Sequence, residues 1–201
     1  MQEHVQLSVY LCRLLRHQPQ AAGLEMDIHG WVSVQQLIDG VNAGGKHHLD
    51  EVLLRQIVAE DDKGRYRMKD GRIKACQGHS IPWVIPELTV TEPPEYLYHG
   101  TTTWADEQIT QSGAISRMKR HAVHMHADPA FAWLSATRRK NREPVLLQIA
   151  AGEMHRAGYT FGVTENQVWC TEVVPAAYIA RRLYALPEEL SGDPLSKNTA
   201  Q

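Results

Sequence analysis

The residues best able to do chemistry in this chain are cations placed where regular structure must stop. Leu14-Leu15-Arg16-His17-Gln18-Pro19 sets a guanidinium beside an imidazole just ahead of a proline. Leu7, Leu11, Leu14 and Leu15 recur at helical spacing, and Pro19 disfavours helical geometry at Gln18. Arg16 and His17 therefore fall in or near the last turn of a helix. A permanently charged fork next to a titratable ring can bind and process a phosphate. The same pair also complements a helix macrodipole, worth a few tenths to ~1 kcal/mol. Taken alone, the pair leaves both uses open.

Other clusters carry related chemistry. In Asp62-Lys63-Gly64-Arg65-Tyr66-Arg67, strand alternation puts Arg65 and Arg67 on one face and Tyr66 on the other, which serves an anion contact or an ordinary solvated wing equally well. Tyr98-His99-Gly100-Thr101 places a histidine at a strand end, then a glycine permitting close approach, then a hydroxyl. That order suits a polar ligand lying across a strand edge, although Thr101 to Thr103 can equally cap a helix. Lys119 to His126 aligns His124 and His126, a spacing that can open a metal site. Asp128 alone does not complete one, so no metal is expected and Arg120 is read as an anion contact. Gln77-Gly78-His79-Ser80 reads as a turn. Arg16, His17, Arg65 and Arg120 thus become candidates for one phosphate site, provided the two halves of the chain face each other. Guanidinium forks there would offset charge developing in a transition state.

The elements that must position these groups divide into two sets. The opening helix is followed by a strand-like Gly30-Trp31-Val32, then Ser33 as N-cap for a helix over Val34 to Ile38, then a polar loop from Asn42 to His48. Leu49 to Glu60 has helical periodicity. Gly64 to Met68 and Arg72 to Ala75 flank Asp70-Gly71, a strong hairpin signal. Three helices and a basic hairpin resemble a winged helix over residues 1–80. Pro82, Pro86, Pro93 and Pro94 mark residues 81–95 as a linker. Beyond it, strands at Tyr96 to Tyr98, Val123 to Met125, Pro144 to Ile149, Tyr159 to Gly162 and Gln167 to Thr171 alternate with helices at Thr103 to Ser112 and Asp128 to Arg139. They form a second α+β lobe over 96–187. The polar end, 188–201, is expected to be disordered.

Composition narrows the classes. A length of 201 residues admits one domain or two small ones, and 43% hydrophobic with 22% charged residues is ordinary for a globular chain. No stretch approaches the roughly 20 apolar residues of a membrane span, and the start lacks a secretory core. Cys12, Cys76 and Cys170 are scattered and never form a CxxC pair, which fits a reducing cytoplasm rather than a disulfide scaffold. A net charge of −2 excludes a strongly basic nucleic-acid coat, so any RNA must be held locally by a few placed cations. A monomer is the default expectation.

In order along the chain, these segments resemble the RNA 2′-phosphotransferase family, the NAD-dependent enzymes that include the tRNA 2′-phosphotransferases of tRNA splicing. The matching pieces are Leu14 to His17 with Pro19, Gly23-Leu24, Gly30-Trp31-Val32, Asp62 to Tyr66, Arg72-Ile73 and Gln77 to Ser80. They continue with Leu97 to Thr101, Arg120, Val123-His124, Pro144 to Leu147, Met154-His155, Ala157 to Tyr159, Asn166, Val168-Trp169, Thr171, Val174-Pro175 and Tyr178. The resemblance implies an N-terminal winged-helix-like RNA lobe and a C-terminal ADP-ribosyltransferase-like lobe that holds NAD. It implies a two-step reaction. The RNA 2′-phosphate displaces nicotinamide from NAD, and the neighbouring ribose hydroxyl then attacks phosphorus. The products are 2′-hydroxyl RNA and ADP-ribose 1″,2″-cyclic phosphate. By the same resemblance Arg16, His17, Arg65 and Arg120 engage the phosphate, while His99, Gly100 and Thr101 contact NAD. Ala122 and His126 depart from the histidine and serine of the family pattern, and Cys76 and Cys170 from its asparagine and leucine. Two other functions use similar parts: ADP-ribosyl transfer to a terminal nucleic-acid phosphate, and a winged-helix nucleic-acid-binding regulator.

Overall fold

In the computed structural model, which describes residues 2–138 and 141–187, the chain is a mixture of helices and small antiparallel sheets divided into two compact units. The expected disorder of 188–201 lies outside the described residues. The first unit comprises Met1–Glu87 together with Lys119–His121, and the second comprises Leu88–Met118 and the chain from Ala122 onward.

The first unit is organised by α1 (Gln2–His17). Its leucine stripe is buried as the spacing predicts, with Leu11 and Leu15 at 0% exposure. Fully burying each such side chain contributes roughly 1.5–3 kcal/mol, which is what holds the helix's C-terminal end in place. The amide of Gln18 still reaches back to the carbonyls of Arg13 and Leu14 at 3.1 and 3.3 Å, and Pro19 then opens a 3₁₀ turn over Pro19–Ala22. The short strand β1 (Val32–Ser33) leads into α2 (Val34–Ala43), whose N-cap is the Ser33 hydroxyl. That helix outruns the expected Ile38 because Val41 also joins the core. Asp50 caps α3 (Glu51–Ala59) through the amide of Leu53 at 2.7 Å. The hairpin β2 (Tyr66–Lys69) and β3 (Arg72–Ala75) turns on Asp70 and Gly71, whose φ of 50° and 70° match the tight turn that Asp-Gly favours. With β1 added, the sheet order is β1-β3-β2. Tyr66 is buried and Arg67 exposed, the alternation expected of the hairpin.

The proline-rich segment divides at Glu87/Leu88. Its first part, with Ile81 and Val84 buried, belongs to the first unit, and its second forms β4 (Thr89–Val90) in the other.

In the second unit β5 (Leu97–Thr102) runs into α4 (Thr103–Ser112), which the Thr102 hydroxyl caps through the amide of Ala105. After β6 (Ala114–Ser116) come β7 (Val123–Met125), α5 (Pro129–Thr137), β8 (Pro144–Ile149) and α6 (Ala151–Arg156). The chain then forms β9 (Gly162–Val163), β10 (Trp169–Thr171), β11 (Val173–Pro175) and β12 (Ile179–Leu183). The sheets read β12-β8-β5, β4-β9-β10-β7 and β11-β6. Central β8 is buried from Val145 to Ile149 without alternation, the signature of a strand covered on both faces. Its partner β5 pairs antiparallel from Leu97↔Ile149 to Thr102↔Pro144. Helix α5 presses onto β5 so closely that a Cβ on Gly100 would meet the Ala132 carbonyl oxygen at 1.8 Å. Gly100 is thus required for helix-on-strand packing. On its other side β5 bridges toward β7, with Tyr98 and His126 exchanging backbone hydrogen bonds of 2.8 and 2.9 Å. Among the described residues no helix is long and apolar enough to cross a membrane.

Candidate active site

The first unit assembles a cationic corner at the end of α1. Ser80 donates its backbone N–H to the Arg16 carbonyl at 2.9 Å, which satisfies one of the carbonyls a helix end leaves open. This brings the 77–81 segment against the helix terminus. The Arg16 side chain lies along Gly78, its Cδ, Nε and Cζ each 3.7 Å from where a Cβ would sit. The guanidinium Nε and Nη2 are buried and have no hydrogen-bond partner among the described residues. Each such orphan donor costs about 1–3 kcal/mol unless something supplies an acceptor, and arginine cannot relieve the cost by deprotonating.

The exposed ring of His17 meets the Ser80 hydroxyl, Nδ1 to Oγ, at 2.9 Å. Its pKa is lowered, by burial first and then by the charges of Arg16, Arg120 and Arg13. The ring is therefore neutral at pH 7 and can still take up a proton when an anion arrives. Arg120 thus shares a field with Arg16 and His17 although it lies more than a hundred residues later. Residues 119–121 belong to the first unit, and His121 Nε2 donates to the Ile81 carbonyl at 2.8 Å. His79 is 2% exposed, and neither of its ring nitrogens has a hydrogen-bond partner among the described residues. Burial, then Arg16, His121, His17 and Lys74, push its pKa down to about 4, so it is an uncharged ring amid cations.

Arg65 is held differently. Its Nε and Nη2 donate to the Asp61 Oδ1 at 2.7 and 2.6 Å, and its backbone N–H also donates to that carboxylate. The Asp61 side chain is 1% exposed and that of Arg65 is 30% exposed. The guanidinium also lies 5.9 Å from the Tyr66 ring centroid. The structure therefore gathers Arg16, His17 and Arg120 in one field, while Arg65 is engaged by Asp61 and Tyr66. Sequence reasoning missed Asp61 and gave Ser80 and His79 no more than a turn. The one available signal was a carboxylate four residues ahead of Arg65.

In the second unit, His99, Gly100 and Thr101 lie in sequence on β5. His99 Nδ1 donates to the His124 carbonyl at 2.9 Å. A carbonyl can only accept, so Nδ1 carries a hydrogen. Thr101 is buried. The ring of His126 stacks on Phe131 with centroids 6.1 Å apart. Burial, then His99 and Arg138, hold its pKa at about 4. No fixed charge occurs among His99, Gly100 and Thr101. His99 lies inside β5, which runs on to Thr102, and not at the strand end that the sequence suggests.

Residues 2–173 match the profile of the RNA 2′-phosphotransferase, Tpt1 / KptA family. A probable RNA 2′-phosphotransferase of Burkholderia lata is 42% identical over 175 residues, covering 86% of this chain and 88% of that one. Proteins described in the same words from Streptomyces coelicolor and Pseudomonas aeruginosa are 41% and 42% identical over 87% and 86% of this chain, and over 93% of each relative. This chain belongs to the RNA 2′-phosphotransferase family.

Proposed function

We propose that this protein removes an internal 2′-phosphate from RNA in an NAD-dependent reaction that passes through an ADP-ribosylated 2′-phosphate. Its products would be 2′-hydroxyl RNA, nicotinamide and ADP-ribose 1″,2″-cyclic phosphate. The observation that carries this reading is the buried guanidinium edge of Arg16, without a hydrogen-bond partner among the described residues and set in one field with His17 and Arg120. An arriving phosphate supplies the acceptors that the edge lacks, and bidentate contact fixes its orientation. Arg65, aimed by Asp61, adds charge stabilisation as the phosphorus becomes crowded. His17, neutral beforehand and hydrogen-bonded to Ser80, can move a proton at its ring.

The order of three helices and a hairpin in the first unit supports a winged-helix-like RNA-binding role. The second unit is assigned an ADP-ribosyltransferase-like role. NAD is a consumed substrate that supplies an electrophilic ribose carbon with nicotinamide as its leaving group. The residues present fit it. His99 and Thr101, two residues apart on β5, present a ring and a hydroxyl to a ribose, and the His126–Phe131 stack provides a flat wall for a ring.

The test is incubation with NAD and an RNA carrying one internal 2′-phosphate, without added divalent metal. Nicotinamide release with 2′-hydroxyl RNA and the cyclic phosphate is the expected outcome. Accumulation of ADP-ribosylated RNA would instead define a transferase that completes only the first step. No nicotinamide release from folded protein would overturn both.

A further inference from the structure

The corner at Arg16 leaves most of the chain's histidines unused. The chain has 11, and three of them, His4, His47 and His48, line a cavity of about 550 Å³ in the first unit together with Lys46, Leu7 and Leu53. The volume is in the range of small-ligand pockets, roughly 300–1,000 Å³.

The cavity is built by a fixed loop. Asn42, in the last turn of α2, donates its side-chain amide to the Leu49 carbonyl and accepts the Leu49 N–H, both at 2.8 Å. That pair of hydrogen bonds closes the loop over 43–48. His47 is oriented by its ring packing against Tyr10, with centroids 4.9 Å apart. His4 projects from the first turn of α1, with Glu60 Oε2 4.0 Å from its Nδ1. Lys46 and His48 are exposed at the rim, while Leu7 is buried and Leu53 half-buried. Among the described residues no carboxylate lines the cavity. The start of α1 and the end of α2 both border it, and their opposite helix dipoles offset each other, so the side chains must carry any recognition.

We propose that this cavity seats one nucleotide of the RNA strand outside the reacting position, its base on Leu7 and Leu53 and its backbone phosphate against Lys46 and the imidazoles. The inference rests on the RNA-binding reading above and extends it to a second contact. Thirteen residues of α1 separate His4 from His17, about 20 Å at the helical rise, so the contact is made by the flanking strand and not by the 2′-phosphate. It supplies affinity without sequence information, as phosphate contacts do. In a chain of net charge −2, such local contacts must do what a basic surface does elsewhere.

The test compares two probes by fluorescence anisotropy across a salt series, without NAD. One is a long single-stranded RNA with one internal 2′-phosphate, the other the dinucleotide around that phosphate. For the double variant Lys46→Ala/His48→Ala, both positions being exposed, long-RNA affinity is expected to fall roughly tenfold at low salt. The slope of log K against log salt should become shallower by about 0.7 for each phosphate that the variant no longer neutralises. Dinucleotide binding should not change. Unchanged long-RNA affinity and slope, or equal losses for both probes, would overturn the assignment. A matching loss of adenosine monophosphate binding would also overturn it, by defining a site for free nucleotides. Nicotinamide release from the dinucleotide by the unaltered protein reports separately on the proposed reaction, so the two readings fail independently.

Discussion

Arg16 and Arg65 are both guanidiniums of the first unit, and the surroundings treat them oppositely. Arg65 is already answered by a buried carboxylate and keeps its geometry with no substrate present. Arg16 lies along Gly78 with two buried nitrogens that have no hydrogen-bond partner among the described residues. One is a guanidinium already fixed in direction by a carboxylate, and the other is a donor edge with no acceptor among the described residues. Stability and function should therefore separate between them.

The sharpest test replaces each in turn. Arg16→Ala should lower turnover by about 10²–10³-fold, the usual cost of removing one charge-stabilising donor, while stability in urea holds or rises, because two unsatisfied buried donors are removed. Arg65→Ala should instead lose about 2 kcal/mol of stability, because Asp61 remains buried and uncompensated. That figure lies below the fully buried range, since the guanidinium is partly exposed. In turnover, Arg65→Ala should slow release of the cyclic phosphate more than release of nicotinamide. Equal stability losses for the two variants would erase the distinction between the two guanidiniums.

The second test asks whether the corner around Arg16 is as dry and as cationic as His79 implies. The folded-state pKa of His79 lies at about 4, below the 6.5 of a free imidazole. As pH falls below 6.5 the unfolded chain takes up the proton first, so stability present above that pH is lost progressively down to about 4. The loss approaches roughly 3 kcal/mol at about 1.4 kcal/mol per unit. His79→Gln, which cannot titrate, should flatten urea midpoints over that window relative to the parent. An unchanged slope would show that the ring is not held neutral. The smallest effect is expected at Ser80→Ala, which removes the 2.9 Å partner of His17. One hydrogen bond of ~1 kcal/mol corresponds to a roughly three- to tenfold fall in kcat, with KM little changed. A loss confined to KM would move Ser80 from aiming His17 to binding substrate.

Much of this arrangement was legible because the relevant signals are local. Pro19 ends α1 and so fixes Arg16 and His17 at its terminus. Asp70-Gly71 specifies the hairpin that follows Arg65, and Thr102 capping α4 sets where β5, the strand that carries His99, must stop. What escaped depends on distant partners. The burial of Asp61 and His79 is decided by what packs over them, not by neighbours in sequence. β6 and β11 are three-residue strands that exist because they pair with each other across more than fifty positions, and no period announces so short a run. Gly100 was legible as a close approach, but sequence could not say that the approaching group is the backbone of α5.

The placement of Lys119–His121 with the first unit has a consequence for how this protein can be divided. The chain leaves that unit after Glu87, returns for three residues, and departs again. No contiguous stretch encodes it whole. An excised N-terminal half would keep its helices, its hairpin and Arg16, yet lack Arg120. Recombination or fusion at the proline-rich boundary would therefore part Arg120 from Arg16 and His17 even while preserving both cores.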